Sequence, residues 1–197
     1  SSDNGQLEPQ LIEDKLVFRL ESGVEQQVVL QGHTWDAVAM RNVVVHSDSL
    51  MESKKPIIIY GGLRVDSAVT LTIKNSTLYF HDGKGLDVYG RLVTDSVVMR
   101  GDRLDRMFDY LPYDRVSGQW GTDGGITFHS SSTRNVLRRT EIRNAGKYGI
   151  RCDSTDYTEN VRRLDMYRCV IHTCKGAGLA SYNANIRLRY CPVSNTQ

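Results

Sequence analysis

YGGLRVDS at residues 60–67 recurs as YGRLVTDS at residues 89–96, and Tyr, Gly, Leu, Asp and Ser each coincide with their counterparts 29 positions later. A second echo has the same offset, because TEIRNAGKYGIRC at 140–152 matches CVIHTCKGAGLAS at 169–181. Self-similarity at a fixed period of this length indicates a repeat architecture, in which each repeat packs on its neighbours.

A shorter spacing near the C-terminus belongs to the same repeat. YRCVIHT at 167–173 is matched by RYCPVSN at 189–195 after only 22 residues. The seven-residue polar segment DSTDYTE at 153–159 accounts for the difference between the offsets of 29 and 22. A basic turn of about 20 to 30 residues, with insertions between turns, predicts a solenoid.

The local pattern predicts the type of solenoid. Short apolar runs such as IIIY (57–60), VTLTI (69–73) and STLYF (76–80) are rich in Val, Ile, Thr and Tyr, and Gly, Asn, Asp and Ser separate them. No window after residue 56 sustains the apolar spacing of a helix. We therefore predict an all-β fold, a right-handed parallel β-helix with two or three strands per coil, each paired with its equivalent one coil away.

The N-terminal segment predicts a separate β-hairpin. DKLVFRLESGVEQQVVLQG at 14–32 reads as two alternating strands joined by a Ser-Gly turn. This hairpin either caps the first coil or ends an upstream domain, since it resembles the last hairpin of immunoglobulin-like domains in bacterial surface proteins. We place the linker and hairpin at 1–45 and the β-helix at 46–197. An uncapped end at RLRYCPVSNTQ predicts that the β-helix is truncated there.

Charge is unevenly spread along the chain, although the formal net charge is only +2. Residues 1–122 hold 13 Lys or Arg against 17 Asp or Glu, and residues 123–197 hold 12 against 6. The basic half could stack its arginines as a ladder or form a solvated face. The arginines concerned are Arg138, Arg139, Arg162, Arg163, Arg187 and Arg189. No aromatic interleaving or nucleic-acid motif accompanies them, so we predict no nucleic-acid partner.

The cysteines and histidines give no metal signature. Four cysteines lie in the last coils, at 152, 169, 174 and 191, and both buried thiols and a disulfide remain open for them. Neither CxxC nor HExxH spacing is present, which argues against zinc. Among the histidines we single out His81 and His129. Asp66 and Asp95 sit in the two YG turns, where we expect them to cap the turn backbone.

The segment 101–124 is the densest concentration of charge and is the predicted site. Its charged residues are Asp102, Asp105, Asp109, Asp114 and Asp123, interleaved with Arg103, Arg106 and Arg115. The candidate calcium ligands are Asp102, Asp105 and Asp109, because carboxylates suit that hard cation. The candidate ligand-binding residues are Trp120, Tyr113, Arg115, Arg103 and Asp114.

Two readings of this segment differ in where Trp120 lies. An exposed indole beside Tyr113 and Arg115 would complement a sugar ring and its carboxylate. Alternatively Trp120 inserts into the solenoid wall, Gly118 and Gly121 allow the close approach, and the segment covers one face as scaffold.

The longer stretch 100–128 carries a family resemblance. It contains an RGDR corner, a Tyr-Asp-Arg stretch and the run Gly118-Gln119-Trp120-Gly121. With the repeats and the hairpin, these motifs resemble the right-handed β-helix surface lipoproteins of Bacteroidota, which have a pectate-lyase-like fold. The resemblance implies export and anchoring at the outer membrane or cell surface of a Gram-negative bacterium, through an upstream cysteine, and implies no particular reaction. Thr122 and Asp123 depart from the pattern by lengthening the link to the next strand.

Two functions are compatible with these observations. We favour a non-catalytic cell-surface module that binds a polysaccharide or a surface protein, needs no cofactor and meets the membrane only through its anchor. The alternative, by analogy of fold, is a calcium-dependent polysaccharide lyase or a polygalacturonase-like hydrolase acting on acidic glycans. Whether the protein is an enzyme, and its oligomeric state, are left open by the sequence.

Overall fold

The structure, a computed structural model, describes residues 10–81, 83–102, 120–121, 124–155, 161–194 and 196. Two compact units divide the chain, Ser1–Ala37 and Val38–Gln197. The strands of the described residues are β1 (Gln10–Arg19), β2 (Glu25–Thr34), β3 (Val38–Val45), β4 (Ser49–Glu52), β5 (Ile57–Val65), β6 (Thr70–Phe80), β7 (Leu86–Val88), β8 (Arg91–Gly101), β9 (Ile126–Phe128), β10 (Asn135–Arg143), β11 (Tyr148–Cys152), β12 (Leu164–Tyr167), β13 (Val170–His172), β14 (Ala177–Ser181), β15 (Ile186–Arg189) and β16 (Val193–Ser194).

The first unit is the predicted antiparallel hairpin, in which β1 pairs with β2 along its full length. One face carries polar pairs, such as the ion pair between Arg19 and Glu25 and the hydrogen bond from Gln31 to Glu13. The opposite face carries most of the apolar side chains of the hairpin, each about half exposed: Ile12, Leu16, Phe18, Leu20, Val24, Val28 and Leu30.

The second unit is a parallel β-helix with three faces, which confirms the predicted fold. Each coil contributes one strand segment to each face, and each segment pairs in parallel with its equivalent in the next coil. Face A stacks residues 43–45, 63–65, 86–88, 126–128, 150–152 and 179–181. Face B stacks 49–52, 71–74, 92–95, 135–138, 164–167 and 186–189. Face C stacks 38–41, 57–59, 78–80, 99–101, 141–143, 170–172 and 193–194.

The C-terminal repeats are in the register that the sequence predicts. Ile142 pairs with Ile171 at an offset of 29, and Ile171 pairs with Val193 at an offset of 22. The polar insert at 153–159 follows the face A segment and precedes face B of the same coil.

The sequence match between residues 60–67 and 89–96 does not correspond to equivalent positions in the structure. Leu63 of YGGLRVDS pairs with Leu86 on face A, whereas Leu92 of YGRLVTDS pairs with Leu71 on face B. The two stretches therefore lie on different faces. The match arises because all faces alternate inward apolar and outward polar residues, so a shift from one face to another preserves the letter pattern.

The interior of the β-helix is filled by the inward side chains of all three faces. Six of seven apolar residues that the repeats place on the inner side of the coils are at most 1% exposed. They are Leu63, Leu92, Ile126, Ile142, Ile150 and Ile171. The seventh, Leu179 on the last face A segment, packs against the core but is only partly buried.

A buried arginine holds the corner between faces A and B. Arg163 is 1% exposed, and its guanidinium donates hydrogen bonds to three main-chain carbonyl oxygens. The acceptors are Ser132 at 2.5 Å, His129 at 2.8 Å and Asp153 at 3.1 Å. Since Asn135 also donates to the carbonyl oxygen of Arg163 at 2.9 Å, the corners of consecutive coils are tied together.

The corner between faces A and C depends on glycine. A Cβ atom added to Gly85, Gly125 or Gly149 would lie 2.6 to 2.7 Å from the carbonyl oxygen of the glycine one coil further on. That distance is too short for any Cβ atom, so stacking of the coils at this corner requires residues without one. The residue that follows each of these glycines, Leu86, Ile126 or Ile150, points into the core.

From the second coil onward, the corner between faces B and C is made by one left-handed residue per coil. Their φ angles are 44° to 58° and they occupy equivalent positions: Asn75, Ser96, Arg139, Arg168 and Tyr190. Asn tolerates this conformation, whereas the other four residues adopt it at a cost of about 1 to 2 kcal/mol each.

We expect Arg168→Gly to raise the free energy of unfolding by about 1 kcal/mol, because glycine adopts a φ of 53° without the Cβ penalty. The exposed side chain of Arg168 makes a cation–π contact at 5.2 Å to the Tyr167 ring, which is weak at an exposed position. Urea unfolding measures the change. Arg168→Ala is the control, since alanine keeps the penalty, and equal stability of the glycine and alanine variants would contradict the expectation.

Candidate functional site

Trp120 lies in the wall of the β-helix. Its indole is 0% exposed and stacks on the Phe80 ring with centroids 4.6 Å apart. Nε1 donates a hydrogen bond to the carbonyl oxygen of Arg143 at 2.7 Å. The prediction that Trp120 forms an exposed aromatic platform is therefore wrong, and the alternative, in which Trp120 inserts into the wall, is correct.

The remaining residues of the predicted site are mostly outside the described residues. These are Arg103, Asp105, Asp109, Tyr113, Asp114, Arg115 and the flanking Arg106, Gly118, Gln119, Thr122 and Asp123. Asp102 is described, and its Oδ2 lies 2.6 Å from Nδ1 of His81. Within the described ranges, no three side chains of the metal-binding types converge on one point.

The arginines of the basic half do not form one ladder. Arg163 is buried, Arg139 pairs with Asp95 at 2.5 Å, and Arg187 pairs with Asp165. The outward row of face B instead alternates in sign for its first four members: Glu52, Lys74, Asp95, Arg138, Tyr167 and Arg189. Such a row neutralises itself and does not favour a polyanion.

Face A carries a different surface, which we call the face A strip. It consists of outward residues in two neighbouring rows that run along the solenoid axis. One row is Arg64, Asp87, Thr127 and Arg151. The other follows the strand ends and is His46, Asp66, Tyr89, His129, Asp153 and Tyr182.

His129 is the centre of the strip. Its Nε2 lies 2.8 Å from Oδ1 of Asp87 and its Nδ1 lies 3.4 Å from Oδ2 of Asp153. The ring is parallel to that of Tyr89, with centroids 4.0 Å apart. Each ring nitrogen of His129 therefore faces a carboxylate oxygen, one from Asp87 and one from Asp153.

A second ionic group continues the strip toward the N-terminal coils. The Arg64 guanidinium lies 4.8 Å above the Tyr89 ring, and its Nε is 3.0 Å from Oδ1 of Asp66. His46 Nδ1 contacts the other oxygen of Asp66 at 2.6 Å. Asp66 thus pairs with His46 of the adjacent coil and with Arg64 of its own strand, and Asp95 pairs with Arg139 of the adjacent coil. That these two carboxylates also cap their turns stays a prediction.

A cleft of about 280 Å³ opens beside this ionic group. Its lining includes Gly61, Gly62, Gly85, Arg64, Lys84 and Asp87. Because Arg64 and Asp87 also belong to the strip, the cleft and the strip form one continuous surface.

Two tyrosines extend the surface at the other end. The hydroxyl oxygens of Tyr148 and Tyr182 are 3.2 Å apart, and Tyr182 is 47% exposed. Their hydrogen bond lowers the pKa of Tyr148 and raises the pKa of Tyr182. An exposed ring held by its hydroxyl is a suitable platform for the apolar face of a sugar.

The strip offers hydrogen-bonding groups rather than an evident catalytic base. Asp87 and Asp153 both face His129, and Asp153 also pairs with Arg151 at 2.7 Å. Each of these side chains therefore has an ionic or hydrogen-bonding partner within the strip. Groups of these kinds can also form hydrogen bonds with the hydroxyl groups of a ligand.

His129 was singled out from the sequence, but its partners were not. The signal for them is the motif Gly-(Leu or Ile)-x-y-z, which recurs at Gly62, Gly85, Gly125, Gly149 and Gly178. Aligning these glycines places x and z of each coil on the outer surface, as Arg64 and Asp66 or Asp87 and Tyr89 show.

Comparison with known proteins agrees with the β-helix fold. A family model described as a right-handed beta helix region matches residues 30–197. Neither the curated proteins nor the solved structures contain a match to the chain. In the part of the chain that the structure describes, no helix has the length and hydropathy to cross a bilayer.

Proposed function

The chain belongs to the right-handed β-helix family, and on that premise we propose that it is a non-catalytic module that binds polysaccharide along the face A strip. The observation that carries the proposal is the ordered row Asp66, Tyr89, His129 and Asp153, which presents polar groups at successive coils. Neighbouring coils are about 4.8 Å apart, so an extended polymer lying along the axis meets such groups at regular intervals.

The chemistry of the strip suits the hydroxyl groups of a glycan. Carboxylate, imidazole and guanidinium groups accept or donate hydrogen bonds in fixed planes, and their mutual contacts hold them in place before a ligand arrives. Tyr182 supplies an exposed ring beside them. Planar donors and acceptors next to an aromatic face are what a sugar ring requires.

The charge of the strip favours a neutral glycan. Three carboxylates, Asp66, Asp87 and Asp153, are paired with Arg64, Arg151 and two histidines. With Arg64 and Arg151 already paired, a polyanion would gain little from displacing their carboxylate partners. Tyr113, Arg115, Arg103 and Asp114 remain proposed as additional ligand contacts.

We expect Asp87→Ala to weaken polysaccharide binding by about tenfold, which is about 1.4 kcal/mol. Asp87 is exposed and holds His129, and hydrogen bonds to charged groups contribute about 1.5 to 3 kcal/mol. Affinity electrophoresis against neutral and uronic acid polysaccharides identifies the ligand, and calorimetry then gives the dissociation constant.

Lys74→Ala, on the outer row of face B, is the matched control and should bind like the wild type. Tyr182→Ala tests the other end of the strip and should also lose affinity. The proposal fails if no polysaccharide in the panel binds, or if the face B control loses as much affinity as Asp87→Ala.

A hydrolase is the second candidate, because two carboxylates face one imidazole on an exposed surface. Incubation with the bound polysaccharide and assay of new reducing ends tests it. Unsaturated products that require calcium would instead indicate the lyase, with Asp102, Asp105 and Asp109 as its proposed ligands. Absence of cleavage with retained binding supports the non-catalytic module.

We also propose that the protein is exported and anchored at the outer membrane or surface of a Gram-negative bacterium. The motif resemblance to β-helix lipoproteins of Bacteroidota supports this location. Membrane fractionation and protease treatment of intact cells test it, and recovery in the cytosolic fraction would contradict it.

A further inference from the structure

The last two coils place two cysteines side by side. Tyr167 pairs with Arg189 and Ile171 pairs with Val193, both at an offset of 22 residues. Cys169 and Cys191 lie between these pairs and are also 22 residues apart. They therefore occupy equivalent positions in adjacent coils, next to the left-handed corner residues Arg168 and Tyr190.

Both thiols point toward the core and interact with each other. Cys169 is buried, and its Sγ donates to the carbonyl oxygen of Leu137 at 3.3 Å. Cys191 is half-buried, and its Sγ donates to the carbonyl oxygen of Arg189 at 3.2 Å. Burial raises the pKa of Cys169 to about 11, and the neighbouring Cys191 thiol adds to that shift.

The spacing of the coils brings the Cα atoms of Cys169 and Cys191 within the range of a disulfide. Neighbouring parallel strands are about 4.8 Å apart, within the range of about 4.4 to 6.8 Å between the Cα atoms of bonded cysteines. Cys152 has no such partner, since Phe128 and Ser181 flank it in the adjacent coils. Cys174 is buried beside Gly149, and burial raises its pKa to about 11.

We propose that Cys169 and Cys191 are a site of covalent modification, at which oxidation forms a disulfide that ties the last two coils together. The oxidant is a small or protein disulfide, as found in an oxidising compartment. The reaction balances, because the two protein thiols lose two electrons and two protons, and these reduce one external disulfide to two thiols.

The exposure of the two residues sets the order of the steps. The Cys191 thiolate, which solvent reaches, attacks the external disulfide and releases one thiol as a mixed disulfide forms. Cys169 then loses its proton and attacks the Cys191 sulfur, which expels the second external thiol. A buried, protonated Cys169 could not begin the reaction as readily.

Redox titration of the folded protein with glutathione and glutathione disulfide tests the proposal. After acid quenching, alkylation in denaturant should count four thiols in reducing buffer and two in oxidising buffer. A non-reduced tryptic map should then join CVIHTCK (169–175) to YCPVSNTQ (190–197). Oxidation should also raise Tm by several degrees, and dithiothreitol should reverse the shift.

Single variants identify which sulfur is linked, because the peptide 169–175 contains both Cys169 and Cys174. Cys174→Ala should retain the cross-link, and Cys191→Ala, at a less buried position, should abolish it. Four thiols in the folded wild type at the most oxidising ratio would overturn the proposal. Loss of the cross-link in Cys174→Ala, with the variant still folded, would also overturn it.

Discussion

Replacement of Arg163 by alanine should lower the free energy of unfolding by about 4 kcal/mol. The guanidinium donates to three main-chain oxygens at the corner between faces A and B, and all three would lose a charged donor. Hydrogen bonds to charged groups contribute about 1.5 to 3 kcal/mol each, and a buried acceptor left unpaired adds a cost. The alanine variant no longer has to bury the charge of the guanidinium, and this offsets part of the loss.

Urea unfolding of neighbouring variants separates the causes. Arg162→Ala removes a partly exposed side chain that donates to Asn185 Oδ1, and it should cost less than about 1 kcal/mol. Arg163→Met keeps the length of the side chain without its donors, so it should resemble Arg163→Ala. A methionine variant as stable as the wild type would show that volume, and not hydrogen bonding, holds this corner.

Trp120→Ala should have an effect of similar size, about 4 kcal/mol, because a fully buried indole is removed from the wall. The loss includes the stacking contact with Phe80 and the hydrogen bond to the carbonyl oxygen of Arg143. Chemical unfolding measures it.

Trp120→Phe is the informative control for this position. Phenylalanine retains the stacking partner for Phe80 but has no donor, so the expected loss is about 1 to 2 kcal/mol. If Trp120→Ala costs less than Trp120→Phe, the indole does not contribute to the core. Unchanged polysaccharide affinity in both folded variants would agree with the placement of the binding surface on face A.

The solenoid could be predicted from the sequence because its signals are local. Alternating β-branched runs indicate strands, and the offsets of 29 and 22 near the C-terminus report true coil neighbours, as Ile142 and Ile171 show. The match between residues 60–67 and 89–96, in contrast, predicts the wrong pairing of strands. The two stretches share five residues, but the true register is set by the stacking of Gly85 on Gly125, where there is no room for a side chain.

The site was less predictable, for a reason that follows from register. Asp87 and His129 are 42 residues apart in sequence and meet only because the coils between them stack in one order. If a segment is assigned to the wrong face of the β-helix, every outward residue is given the wrong neighbours. A dense run of charge at 101–124 was the more visible signal, yet its aromatic residue Trp120 is part of the wall.

The spacing between the third and fourth coils has a consequence for how new segments are acquired. On face B, Thr94 and its partner Leu137 are 43 residues apart, whereas Leu71 and its partner Leu92 are 21 apart. Because closure entropy grows with the logarithm of length, doubling the connection costs only about 0.6 kcal/mol. We therefore expect that the sequence between Asp102 and Trp120 can be lengthened or replaced by a foreign peptide at a small entropic cost, provided that Trp120 is kept in the wall.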